Sequence, residues 1–300
     1  MILQMILTVV GLIAFEVVSS ADNAVVNAEI ISKMSARGRR WFLTWGLFFG
    51  VFAVRGLLPW LIIWVTTPGL GPIESLTATF SSDPRVKEAI ELAAPTLLAG
   101  GGTFLVFLFF HWLFLEDKHF GLPGERFFAS KGLWFYTVAS IILTTLTWLA
   151  VKTQPALAIG CVVGSTAFFI THGFKQSAEE AERHLANNTN GMTDLSLIMF
   201  GEIIDATFSI DGVLGAFAFT TSVFLIILGS GIGAVIVRQL TVGNIERIKK
   251  YRFLKNGAMY SILALGIVML LDAFGIHIPQ WASPVVTFSV IGYFLWKSMR

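Results

Sequence analysis

Residues 15–28 read Phe-Glu-Val-Val-Ser-Ser-Ala-Asp-Asn-Ala-Val-Val-Asn-Ala, inside an apolar run that starts at Met1. Two carboxylates, Glu16 and Asp22, stand where hydrocarbon side chains are expected. The pattern returns at residues 201–216, Gly-Glu-Ile-Ile-Asp-Ala-Thr-Phe-Ser-Ile-Asp-Gly-Val-Leu-Gly-Ala. Aligning Ser20 with Ser209 and Asp22 with Asp211 also aligns Glu16 with Asp205. Each half therefore carries an acid, five residues and a second acid, and the later stretch adds Glu202.

The surroundings of these acids decide the fold class. Hydrophobic residues make up 55% of the chain and charged residues only 13%, with a mean hydropathy of +0.75. Soluble domains carry about 25% charge. Apolar runs of roughly 20 residues recur along the chain, which is the length a helix needs to cross a bilayer. The expectation is an all-α polytopic membrane protein. The net charge of +2 is too small to point to nucleic acid. Cys161 is the single cysteine, so an intrachain disulfide and a cysteine-cluster metal site are excluded. The first segment lacks a basic start and meets its first lysine only at Lys33. It reads as a retained spanning helix rather than a signal peptide.

Nine spans are expected, at residues 3–32, 41–66, 91–115, 132–151, 156–175, 195–218, 221–240, 256–274 and 281–298. A polar stretch at 176–193, with Glu179, Glu180, Glu182 and Arg183, reads as a short surface helix and loop. It divides the chain into a first half, 1–175, and a second half, 176–300. Cytoplasmic loops hold the Lys and Arg excess. With the N-terminus outside, 17 of the 21 Lys and Arg fall in inward loops or helix ends. The C-terminus is then cytoplasmic, and the expected location is the cell inner (plasma) membrane.

The halves resemble each other beyond their acids. Residues 46–55 and 229–238 both follow Gly-x3-Gly-x4-Arg, ending at Arg55 and Arg238. On the span count, the first helix enters from outside and the sixth from inside. This predicts inverted three-helix repeats, an architecture that puts the substrate near the midplane between the repeats.

A charge at mid-bilayer costs at least about 2.5–3.5 kcal/mol unless it is neutral, paired or facing a polar cavity. Converging acids with amide and hydroxyl oxygens make a hard oxygen cage that suits Mn²⁺, Mg²⁺ or Ca²⁺. Asn23 follows Asp22 directly and is a candidate to add an amide oxygen. Asn27 is a further candidate, with packing or helix capping as the alternative for both. Six residues advance an ideal helix about 240° past a full turn. Paired acids at that spacing do not share a narrow face. Either the helices break near Ser19-Ser20 and Ser209–Gly212, or the acids line two sides of one narrow cavity. The plainer alternative is a structural network in which Asp22 pairs with Arg55 and Asp211 with Arg238. These arginines also read as counter-charges or gates.

The five histidines are scattered, without a His-x3-His or His-Glu-x2-His pair. His172, near a helix end, reads either as a gate or pH sensor or as an ordinary helix-terminal hydrogen bond. No nucleotide-binding motif and no nucleophile–base constellation accompanies the acids, so an enzyme is not expected.

Phe-Glu-x5-Asp-Asn at 15–23, Gly-Gly-x-Phe at 101–104, His-Gly-Phe-Lys at 172–175 and Glu-Ile-Ile-Asp-x5-Asp at 202–211 resemble the TerC-type integral membrane proteins. The resemblance is to their branch often called DUF475, and it covers nearly the whole chain. It extends to the wider LysE-like group of inverted-repeat exporters. TerC-type proteins are associated with tellurite-resistance loci, manganese efflux and metal homeostasis. The resemblance implies Glu16, Asp22, Asn23, Glu202, Asp205 and Asp211 as metal-site residues. Gly212 departs from it, because many TerC-type proteins have Ser after this aspartate.

The expected function is a secondary transporter exporting Mn²⁺ or a related divalent cation, with protons as counter-ions. Its other partners are membrane lipids. The alternatives are an exporter of a cationic organic solute such as a basic amino acid, and a non-transporting membrane scaffold for metal delivery or stress resistance.

Overall fold

The computed structural model describes residues 2–20, 27, 30–67, 69–77, 84–116, 121–187, 193–243, 251–279 and 281–299. Asp22 and Asn23 lie outside the described residues. The chain is an all-α membrane protein, and the described residues contain no strand.

Nine helical segments of 18 residues or more follow one another among the described residues. They are α1 (Ile2–Ser19), α2 (36–66), α3 (Pro84–Leu115), α4 (Trp134–Thr153), α5 (Pro155–Asn187), α6 (Asp194–Ala216), α7 (Val223–Gly243), α8 (Leu254–Ala273) and α9 (Ala282–Met299). Five contain stretches long and apolar enough to cross a membrane: α1, α3, α4, α5 and α8. Shorter apolar helical stretches lie at Val54–Thr66 and Val223–Gln239. At about 1.5 Å per residue, the 23 residues of α6 have the length to cross as well. The acids at 194, 202, 205 and 211 dilute its apolar character.

Contacting helices alternate in direction, as successive crossings require. In α1 and α7, Leu12 lies against Gly229 and Glu16 against Gly233, so the two run parallel. In α3 and α5, Gly100 faces Gly164 and His111 faces His172, again parallel. In α2 and α6, Gly38 faces Asp194 and Gly50 faces Asp205, also parallel. The pair α3 and α8 is antiparallel, with Gly102 against Gly266 and Phe109 against Tyr260. Odd-numbered helices thus run parallel to odd-numbered ones in these pairs, and α2 parallel to α6.

The centre of the molecule is α3. Its apolar span is 78% buried, against 17% for α4, which shows its Ile141, Trp148 and Val151 to the outside. Phe104, Phe107 and Phe168 pack edge to face where α3 meets α5. Between membrane helices, close packing rather than water exclusion drives association, and small residues allow backbones to approach. Gly164 meets the Gly100 carbonyl so closely that a side chain on it would collide with main chain.

Two expectations change. The stretch after residue 175 is not a separate surface helix: α5 continues without interruption to Asn187. Its Ala, Glu, Lys and Gln residues are strong helix formers, so nothing stops the helix. Of the two alternatives for the acid spacing, a break at Ser209–Gly212 is not the one taken, because α6 is continuous from Asp194 to Ala216. The Ser209 hydroxyl donates to the Asp205 carbonyl of its own helix at 2.6 Å.

Candidate functional site

The site begins with a clamp at one end of α2 and α6. Ser35 caps α2, its hydroxyl accepting from the Gly38 N–H at 3.2 Å. The Ser35 N–H donates to the Asp194 carboxylate at 2.9 Å, and its hydroxyl donates to the other carboxylate oxygen. Asp194 stands just before the apolar run of α6. The Ser35 hydroxyl, then its backbone N–H, hold this carboxyl below its ordinary value. The clamp sets the register between two parallel helices. Eight residues beyond Gly38 is Gly46, and eight beyond Asp194 is Glu202. Gly46 and Glu202 meet, and a side chain at 46 would overlap the Glu202 carboxylate.

Further along, α2 leaves ordinary helical geometry. Phe42–Gly46 and Gly50–Leu57 are π-helical, with wider turns closed five residues back. Segments of this kind collect at functional sites. Here they carry Gly46, Gly50 and Arg55. A Cβ on Gly50 would stand 3.0 Å from Asp205 Oδ2.

The other half answers this arrangement. On α7, a Cβ at Gly233 would be 2.6 Å from the Cβ of Glu16. Gly50 and Gly233 are equivalent in the two Gly-x3-Gly-x4-Arg stretches, and Asp205 and Glu16 are equivalent in the acidic ones. Each acid-bearing helix is thus approached by the glycine-bearing helix of the opposite half.

The arginines complete the correspondence. Arg55 donates to Glu16 Oε1 from Nη2 at 2.6 Å and from Nε at 3.2 Å. Ser20 donates to the same oxygen at 2.7 Å. Arg238 Nη2 lies 3.8 Å from Glu202 Oε1 and 3.9 Å from Asp205 Oδ2. Arg55 Nη1 lies 4.0 Å from that same Asp205 oxygen. Asn27 donates to Asp205 Oδ1 at 3.1 Å. Glu16, Arg55, Asp205, Arg238 and Asn27 are all buried. Buried charges persist only when paired and hydrogen-bonded, and here carboxylates and guanidinium groups alternate. Two acceptors, Asn27 Oδ1 and Glu202 Oε1, are buried without a hydrogen-bond partner among the described residues.

Of the sequence-derived site residues, the structure brings together Glu16, Glu202 and Asp205. Asp22 and Asn23 are outside the described residues. Asp211 is placed elsewhere: it lies on another face of α6, 3.7 Å from Lys175 of α5. That second cleft is lined by Phe104, Leu108, Phe168, Thr171, His172, Lys175 and Asp211. His172 packs there against His111, ring centres 3.6 Å apart. In α6 the six-residue spacing is met by two different partners on two faces rather than by a broken helix, whereas α1 ends at Ser19, the weak point read between Glu16 and Asp22. Arg238, matched with Asp211 in the structural alternative, meets Glu202 and Asp205 instead. Among the described residues, no three His, Cys, Asp or Glu side chains converge closely enough to hold a metal ion. The guanidinium groups stand between the carboxylates.

Sequence reasoning missed three polar features. Lys175 carries no signal beyond the His-Gly-Phe-Lys motif, yet from within α5 it reaches Asp211. The Ser35–Asp194 clamp had a signal in the Ser-x-x-Gly start of a basic helix. A buried carboxylate, Glu125 of the short helix Pro123–Ala129, accepts from Asn256 of α8 at 2.7 Å. It had no signal, since its loop reads as exposed.

No curated protein and no solved structure matches the chain. The family described as protein of unknown function (DUF475) matches residues 21–300. That span includes both arginine stretches and the acids of α6, and the chain accordingly belongs to the DUF475 family.

Proposed function

We propose that this chain is a secondary transporter that exports Mn²⁺ or a related divalent cation, with protons as counter-ions. The observation that carries the reading is that Glu16 from α1 and Glu202 and Asp205 from α6 gather around one shared pair of arginines, Arg55 and Arg238. Acids in a membrane interior mark ion or substrate pathways by default. Asn27 Oδ1 and Glu202 Oε1, which accept no hydrogen bond among the described residues, are hard oxygens of the kind Mn²⁺, Mg²⁺ and Ca²⁺ take. The matching glycine and arginine stretches on α2 and α7 support an inverted repeat with the site between its halves. On this reading the chain is a TerC-type, LysE-like protein of the plasma membrane, with its N-terminus outside and its C-terminus in the cytoplasm.

One observation favours a second reading. Buried guanidinium groups alternate with the acids, and such a site also complements an organic solute bearing both ammonium and carboxylate, such as a basic amino acid. Flux separates the two. Purified protein in liposomes should move Mn²⁺ down its gradient, and Asp205→Asn should abolish the movement. If arginine or lysine moves and Mn²⁺ does not, the metal reading is wrong. If nothing moves, the chain acts as a scaffold.

A further inference from the structure

We propose that the exposed face of α2 between Arg37 and Phe48 binds an anionic phospholipid, with its phosphate held by Arg37 and Arg40 and its chains lying along Trp41, Trp45 and Phe48. The proposal does not depend on what the protein transports.

Arg37, Arg39 and Arg40 stand exposed in the first turns of α2. Among the described residues, none of these guanidinium groups makes an ion pair, a hydrogen bond or a ring contact. Lys152 of α4, by contrast, lies over its own Trp148 ring at 3.6 Å. Asp194, the carboxylate at this end of α6, is on the opposite face of α2, against Gly38, where Ser35 holds it. Like charges this close on a helix repel one another, and a bound anion relieves the repulsion.

Helical geometry sorts the arginines. At about 100° per residue, Arg37 stands about 60° round from Arg40 and Trp41 about 100° in the same sense, with Arg39 about 100° in the other. Gly38 and Phe42, which face the protein, are buried. Further along the exposed face come aromatic rings. Trp41, Trp45, Phe48 and Phe49 are 40%, 56%, 50% and 53% exposed. Trp41 stacks on Phe49 with ring centres 6.5 Å apart, and Trp45 meets Phe48 edge-on at 6.2 Å.

The order of these groups matches an amphiphile. Arg40 and Phe48 are about 12 Å apart along the helix axis. The headgroup layer on one side of a bilayer is only about 5–8 Å thick. Arginines at phosphate level therefore put Phe48 among acyl chains, with the tryptophans at the boundary they favour. A nucleic acid or an acidic soluble protein would reach the arginines but not the rings, which lie along a membrane-spanning helix. Two copies of the chain packed symmetrically through this face would set arginine against arginine.

The other face of the same turns builds the candidate site. Ser35 clamps Asp194, the Phe42 carbonyl accepts from Arg238 at 2.8 Å, and Gly46 meets Glu202. A lipid held here bears on the end of α2 that sets its register with α6, and its binding favours the folded protein by mass action.

The test is titration of the purified full-length protein in dodecyl maltoside with phosphatidylglycerol. Melting is followed by intrinsic fluorescence, and bound lipid is counted by native mass spectrometry. The melting temperature should rise saturably with phosphatidylglycerol and not with phosphatidylcholine. A basic residue near an anionic surface is worth about fivefold in affinity. Arg37→Gln combined with Arg40→Gln should therefore weaken apparent affinity about 25-fold, and Arg39→Gln alone less than about threefold. If the double variant gives no folded peak on size exclusion, Arg40→Gln alone carries the test, with a loss of about fivefold. The proposal is overturned if phosphatidylcholine binds equally, if the folded arginine variants bind as wild type does, or if Arg39→Gln costs as much as Arg40→Gln. The same melting rise with inorganic phosphate would also overturn it, since a free anion would then suffice.

Discussion

Separating Glu16 from Arg55 gives the sharpest energetic prediction. The guanidinium makes two bonds to one carboxylate oxygen, at 2.6 and 3.2 Å, and Ser20 adds a third at 2.7 Å. Both side chains are almost fully buried, at 3% and 2% exposure. At an effective dielectric of about 20, unit charges at this separation attract by about 6 kcal/mol. Much of that only offsets the desolvation of two ions. Removing one partner therefore costs more than the pair contributes, about 3–5 kcal/mol, because a buried charge is left alone. Glu16→Gln and Arg55→Met should each destabilise by that amount. Glu16→Gln combined with Arg55→Met should recover most of the loss, since replacing a buried pair by neutral groups is often close to neutral. Chemical unfolding in detergent micelles of the four proteins closes the double-mutant cycle. Single losses below about 1 kcal/mol that simply add in the double variant would refute a buried, coupled ion pair.

Gly233→Ala should destabilise by about 1–3 kcal/mol, because its Cβ would meet the stem of Glu16 and the Ile13 carbonyl, which cannot turn aside. Gly46→Ala meets the side-chain ends of Glu202 and Arg238 rather than main chain, so thermal stability should change less than Mn²⁺ affinity, and both are read from one titrated melting series. Asp211→Asn should leave Mn²⁺ binding within about twofold of wild type, since Asp211 pairs with Lys175 rather than with the acid cluster; Asp205→Asn should abolish it. Asp194 is held below its ordinary value of 3.8 by Ser35. Its contribution is fully present above that value and is lost as pH falls through the lowered one. Melting curves between pH 6 and 3 should therefore fall less steeply for Asp194→Asn than for wild type, and equal slopes would remove the clamp from the account.

Much of the fold was legible because membrane crossing imposes length and apolarity on each segment. The nine segments read from the sequence correspond to the nine long helices among the described residues, and their alternation agrees with the directions of contacting pairs. The site was partly legible through internal repetition. Glu16 and Asp205 correspond by alignment, and their opposite-half glycines, Gly233 and Gly50, correspond in space. What spacing did not reveal was which neighbour each acid would meet. Asp211 lies six residues beyond Asp205, and helical geometry turns it to another face, where only the packing of α5 decides that Lys175 is present. The π-helical stretches were equally hidden. The sequence Gly-Val-Phe-Ala-Val-Arg is compatible with an ordinary helix, and the widened turns arise where α2 lies against Glu202 and Asp205.

The central claim is that the acids of α1 and α6 jointly hold a divalent cation. Anomalous diffraction at the manganese edge from crystals soaked in Mn²⁺ tests it most directly. The account predicts a peak bounded by Glu16, Glu202, Asp205 and Asn27. A peak only at the protein surface, or only in the cleft between Asp211 and Lys175, would contradict it.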